Sequence, residues 1–253
     1  MLAIIAELMM RRKIAISLGA TLGMLGVFLA NKYEAQQGVD TMPSLIAVLD
    51  TNFWLSTHVT TVTMGYAAGL LAAGIAHVYI VGRLILGKRA NTGAGKDFFK
   101  GVTRLTYGVL CFGIVFATIG TILGGIWAND SWGRFWGWDP KENGALMIVL
   151  AMLAILHARL GGYIRDLGIA IWSMACGMIV AFSWWHVNHL GVGLHSYGFT
   201  SGIIHALTIF YATQLGVMAL GGIVWLRDRN ATTDRPEPTA KAKPAKAATP
   251  PNE

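Results

Sequence analysis

Residues Leu105–Asn129 read LTYGVLCFGIVFATIGTILGGIWAN, an unbroken run without Asp, Glu, Lys or Arg. A helix needs roughly 20 mainly apolar residues to cross a bilayer, and this stretch suffices. Four more uncharged stretches follow the same rule: Ile14–Asn31, Thr51–Gly82, Asn143–Ala158 and Leu167–Leu226. The last is too long for one helix. Its middle, WHVNHLGVGLHSYGFTSG (Trp185–Gly202), carries Gly191, Gly193, Gly198 and Gly202 with three His, and reads as a loop between two helices. Composition agrees. Of the 253 residues, 54% are apolar and only 13% charged, with mean hydropathy +0.52, against about 25% charged in a typical soluble domain. An ordinary soluble enzyme has more polar surface than this, and a disordered chain has less apolar content. The predicted fold is all-α: a polytopic helical membrane protein with about six transmembrane helices, near 13–31, 58–82, 104–127, 143–160, 167–187 and 203–226, and with outward Trp-rich and His-bearing loops.

The basic residues give the orientation. Of 20 Lys and Arg, 17 fall in the connections on one side; only Lys32, Arg134 and Lys141 fall on the other. Cytoplasmic connections collect Lys and Arg, so both termini are expected in the cytoplasm, and the loops 32–57, 128–142 and 186–202 face outward. The net charge of +7 is thus a topology signal rather than a nucleic-acid surface. Residues 1–57 read as an N-terminal anchor helix with an external segment, 58–226 as a transmembrane core and 227–253 as a disordered cytoplasmic tail rich in Pro, Ala and Lys. No A-x-A site follows the first span, so an uncleaved anchor is expected; Met10 is a possible alternative start. Cys111 and Cys176 lie in apolar segments, and there is no CxxC or CxxCH.

Chemistry concentrates in the outward loops. WANDSWGRFWGWDPKEN (Trp127–Asn143) packs Trp127, Trp132, Phe135, Trp136 and Trp138 among glycines. Such a cluster is either an interfacial aromatic belt or a platform for a large, flat, apolar ligand. Asp139 is placed to cap the following helix, with Pro140 at its first position and Glu142 at its third. His58 and His195 sit at the same outer level on either side of this loop, with His186 and His189 as fallbacks. Neutral imidazole is a standard axial ligand of haem iron. His157, about 21 Å along its span from Asn143, and His77 lie deeper. No HExxH-type zinc spacing, serine-nucleophile motif or phosphate-binding glycine loop is present.

Three segments carry a resemblance. WGRFWGWDPKEN, with the following helix and its Leu156-His157, resembles the tryptophan-rich WWD signature of the cytochrome c assembly family of haem-handling membrane proteins. GLHSYGF around His195 and WLSTHVTTVTMGYA around His58 resemble the two external histidine motifs of its CcsA-like branch, part of the system II cytochrome c synthetase. The likeness covers about residues 50–226. It implies a haem-handling core over 58–226, with Trp132, Trp136, Trp138 and Asp139 in the haem-binding loop. His58 and His195 would be external axial ligands of haem b, and His157 an intramembrane ligand. It further implies a CcsB-type membrane partner subunit, apocytochrome c with CxxCH as substrate, and a setting in membrane lipid. The expected role is binding, translocation and presentation of haem for covalent attachment to apocytochrome c. The chain would form part of a haem lyase acting with a partner subunit; no residue reads as an acid or base, so no catalytic proton donor is named. The chain has fewer spans before His58 than CcsA proteins usually have.

Two other readings compete. A permease for haem or a small solute has no need of an outward Trp cluster between two outward His. A b-type electron-transfer subunit would pair His at matched depth, as His77 and His157 could.

Overall fold

The computed structural model describes residues 14–37, 53–196 and 201–233. Among these, every regular element is helical. They are α1 (Ile14–Gln37), α2 (Phe53–Leu86), α3 (Gly93–Trp132), α4 (Pro140–Leu160), α5 (Asp166–Ala181) and α6 (Ile203–Thr233). A 3-10 turn, Gly87–Asn91, joins α2 to α3. A π-helical turn, Phe182–His186, and one further helical turn, Val187–His189, extend α5. Helices α2 to α6 are each long and apolar enough to cross a membrane, and α1 coincides with the expected first span.

Small residues let α2 and α3 approach closely. A methyl group on Gly65 would come 2.5 Å from the Ala117 backbone nitrogen, and one on Gly120 would come 2.6 Å from the backbone of Val62. Gly120 and Gly124 form a G-x-x-x-G pair, the spacing that brings backbones together where no hydrophobic effect drives helices to associate. The same register sets Gly124 opposite His58. On its other side α2 meets α5, with Gly69 under Val180 and Ala73 against Gly177. Ile75, Ile80, Leu110, Ile148, Met152, Met174 and Val180 fill the centre and are fully buried. Gly221 of α6 rests near Ile171 and Ile80.

The helix ends depart from the expected boundaries in three places. α3 runs on to Trp132 and stops at Gly133, whose φ of 70° supplies a left-handed cap with its N–H on the Asn129 carbonyl. The connecting loop is therefore only Gly133–Asp139. His186 and His189 lie in the helical extension of α5 instead of in a loop. α6 continues to Thr233 rather than ending at 226, so residues 227–233 are helical and not part of a disordered tail. After Pro140 the next proline is Pro236. Asp228 pairs with Arg83 of α2, Arg227 donates to the Arg83 carbonyl (3.1 Å), and Arg229 lies over the Trp225 ring at 5.4 Å. Arg159 and Asp166 (3.0 Å) clasp α4 to α5 at this same end of the bundle. The start of the chain, most of the external segment after α1, and the tail from 234 lie outside the described residues.

Candidate functional site

The first turns of α2 place His58 against α3. Its Nδ1 lies 2.7 Å from the Gly120 carbonyl. A carbonyl only accepts, so Nδ1 carries the hydrogen and Nε2 carries the lone pair. Gly124 clears space for the ring; a methyl there would come 2.5 Å from His58 Cε1. Trp127, almost wholly buried, is nearly parallel to the His58 ring at 6.4 Å.

The turn between α3 and α4 is built on two carboxylates. Glu142 accepts from the Arg134 guanidinium (2.9 Å), the Gly137 N–H (2.8 Å) and the Asp139 N–H (3.1 Å). Asp139 accepts from the Lys141 N–H (3.0 Å), and with Glu142 it completes the expected capping box. Trp138, between Gly137 and Asp139, has φ 57°, a left-handed conformation costly for a bulky residue. The Asn143 amide donates to its carbonyl at 3.1 Å.

Asp139 does more than cap. Its second oxygen accepts the Leu194 N–H (2.6 Å), and its first also accepts from His195 Nδ1 (3.0 Å). One buried carboxylate therefore ties the tryptophan loop to the histidine loop. Burial alone would raise the Asp139 pKa, but the N–H donors of Leu194 and Lys141, with His195, hold it below its ordinary value. For His195, burial outweighs the attraction of Asp139 and lowers the pKa, favouring neutral imidazole. As with His58, Nδ1–H is committed and Nε2 keeps its lone pair. Gly193 makes the approach possible: its φ is +85°, and a methyl there would come 2.2 Å from Asp139 Oδ2.

Between these loops lies a cavity of about 380 Å³, lined by His58, His195, Trp136, Lys141, Tyr66 and Trp184 among others. This is within the roughly 300–1,000 Å³ of small-molecule sites. Trp184 and Trp185, stacked at 4.6 Å in the π-helical turn, form its far wall. Trp132 lies behind His195, edge-on at 4.9 Å.

Of the residues singled out from sequence, His58, His195 and Trp136 meet at the cavity, and Asp139 and Trp132 support His195. Trp138 is 68% exposed and is not among the lining residues. His157 lies far along α4 on its exposed face, bonded to the Leu153 carbonyl at 2.9 Å. His77 bonds to its own helix at Ala73 (2.8 Å). His186 packs between Phe182 and Tyr211, and His189 is exposed; neither lines the cavity. Sequence reasoning missed Lys141, Tyr66 and the Trp184–Trp185 pair. The adjacent tryptophans at the outer end of a span were the available signal. Among the described residues no group of three His, Cys, Asp or Glu is placed to hold a free metal ion; the cavity wall offers the His58 and His195 imidazoles, aromatic rings and the Lys141 ammonium.

A family model described as cytochrome c assembly protein matches residues 1–195. The cytochrome c biogenesis protein CcsA of Chlamydomonas reinhardtii is 34% identical over 155 residues, 61% of this chain and 43% of that protein. The CcsA protein of Guillardia theta is 29% identical over 212 residues, 72% of this chain and 66% of the relative. Protein NrfI of Wolinella succinogenes is 32% identical over 186 residues, 72% of this chain and 20% of that protein. The chain thus spans only part of the length of the curated relatives it matches.

Proposed function

Because the chain belongs to the cytochrome c assembly protein family, we propose that it binds haem b and presents it for attachment to apocytochrome c. The observation that carries this reading is the pair His58 and His195. Each has its Nδ1–H held by an oxygen acceptor, and both line one tryptophan-walled cavity. That is how proteins orient a metal-ligating imidazole, with the second nitrogen held by a carbonyl or carboxylate. Haem supplies the reactive groups: two thiols of a CxxCH segment add across its vinyl double bonds, sulfur to one carbon and hydrogen to the other, without net oxidation. The chain's own residues would bind and orient. His58 and His195 would hold the iron, Trp136 and Trp184 would offer aromatic surface to the ring, and Asp139 keeps His195 in place. Much of the benefit of such a site is orientation of the reactants.

The same reading assigns His157 as an intramembrane haem ligand. A polar side chain on the exposed face of a membrane helix is costly unless paired. Its exposure supports a second ligand from a companion membrane protein of the CcsB type. The 17-to-3 distribution of Lys and Arg supports cytoplasmic termini and an outward cavity.

The test is the absorption spectrum of the purified protein together with cytochrome c maturation in cells. His58→Gly and His195→Gly should each abolish the bis-imidazole haem spectrum and maturation, and added imidazole should restore part of both. Normal maturation in both variants would remove the axial-ligand assignment.

A further inference from the structure

We propose that Lys141 is a carboxylate anchor in the cavity, pairing with a propionate of the haem and so setting which edge of the porphyrin faces the incoming thiols. The inference rests on the haem-binding reading and deepens it.

Two side chains other than histidine bring formal charge to the cavity wall, Lys141 and Glu142. Glu142 is spent: the Arg134 guanidinium and the N–H groups of Gly137 and Asp139 occupy it. Lys141 is not. Half-buried at the start of α4, it makes no ion pair among the described residues. Asp139, two residues before it, points its oxygens at the Leu194 and Lys141 N–H groups and at His195. The Lys141 ammonium instead donates to the Trp184 carbonyl in the π-helical turn. A π turn shifts the backbone bonding register and occurs often at functional sites.

An ammonium has three donors. One on a carbonyl steers the group toward the Trp184 wall and leaves capacity for an anion. Asp139 attracts the ammonium through space without bonding it, so a ligand carboxylate entering beside this partly buried cation gains a charge-assisted bond. Haem has the matching chemistry, a flat apolar plate with both carboxylates on one side and the vinyl groups on the rest of the ring. Axial ligation by His58 and His195 alone leaves the plate free to rotate about the iron. An off-axis anchor removes that freedom. Lys141 is therefore a positioning residue, acting on a part of the substrate that does not react.

The experiment compares haem with its dimethyl ester, in which both carboxylates are masked. Competitive binding is measured for the full chain purified with its membrane companion. Wild type should prefer haem over the ester by about tenfold, the size of one hydrogen bond to a charged group. Lys141→Gln keeps a donor for the Trp184 carbonyl but loses the charge. Its preference should fall to near unity with the bis-imidazole spectrum intact. Lys141→Arg should keep the preference. The proposal is overturned if wild type does not discriminate, or if Lys141→Gln discriminates as wild type does. The wild-type comparison stands even where the Gln variant fails to fold. Absence of any bis-imidazole spectrum in wild type would instead strike the underlying haem reading, and this proposal with it.

Discussion

Asp139 concentrates the logic of the site in one side chain. Asn caps a helix as well as Asp does, so a residue that only capped would tolerate that change. Here both carboxylate oxygens face N–H donors, from Lys141, Leu194 and His195. An asparagine must turn its NH₂ toward at least one of them. Asp139→Asn should therefore keep the helix cap but cost about 1–3 kcal/mol, as for a buried donor left unsatisfied, and lose the bis-imidazole signature. A wild-type spectrum from the Asn variant would reduce Asp139 to a cap. Gly193→Ala is expected to reproduce the defect from the other loop. The methyl group meets Asp139 at 2.2 Å and φ is +85°, so Leu194 and His195 are driven off the carboxylate. Haem content and spectrum of the purified variant report it, and full haem content would show that the loop has slack.

At the scale of elements, the α2–α3 seam sets where His58 stands. Gly65 faces Ala117, Val62 faces Gly120 and His58 faces Gly124, one antiparallel register. A methyl at Gly65 meets backbone, which cannot swing aside. Gly65→Ala should cost about 1–3 kcal/mol, typical of overpacking. Gly108, on the same helix as Gly120, has nothing within 4 Å of an added methyl. Gly108→Ala should be neutral, or stabilising by about 0.5–1 kcal/mol as for Gly to Ala in a helix interior. Thermal unfolding in detergent compares the two, and equal effects would mean the seam is looser than its distances indicate. Lengthening of α6 past 226 belongs to this scale as well, because Arg83 of α2 holds Asp228.

At the scale of the whole molecule, the cavity lined by His58 and His195 lies at one end of the bundle and the Arg83–Asp228 and Arg159–Asp166 ion pairs at the other. Reporter fusions at residues 95 and 240 should both read cytoplasmic. An external signal at either would turn the cavity inward and remove its access to secreted thiols. His157 makes a second whole-molecule prediction, since its position on the exposed face of α4 fits a ligand shared across a subunit boundary. His157→Ala should lower haem content only when the companion protein is co-expressed. Equal loss from His77→Ala in the chain alone would favour an internal pair.

The sequence by itself determined the membrane class and the order of the six long helices found among the described residues. Uncharged runs such as Leu105–Asn129 report directly on transfer into lipid, a property of each segment regardless of its neighbours. The capping box at Asp139 was legible for the same reason, being a contact over three residues. Motif likeness pointed to His58 and His195. What only the tertiary structure decided is which of the aromatic and charged groups share one space. Trp138 reads like Trp136 in sequence, but the left-handed backbone at 138 leaves its ring exposed. Trp184 and Lys141 sit 43 residues apart in sequence and meet at one cavity wall. The two roles of Asp139, cap and histidine holder, separate only once Gly193 is seen to bring the distant loop against it. Contacts between distant segments depend on helix register and close glycine packing, and no local pattern encodes those pairings.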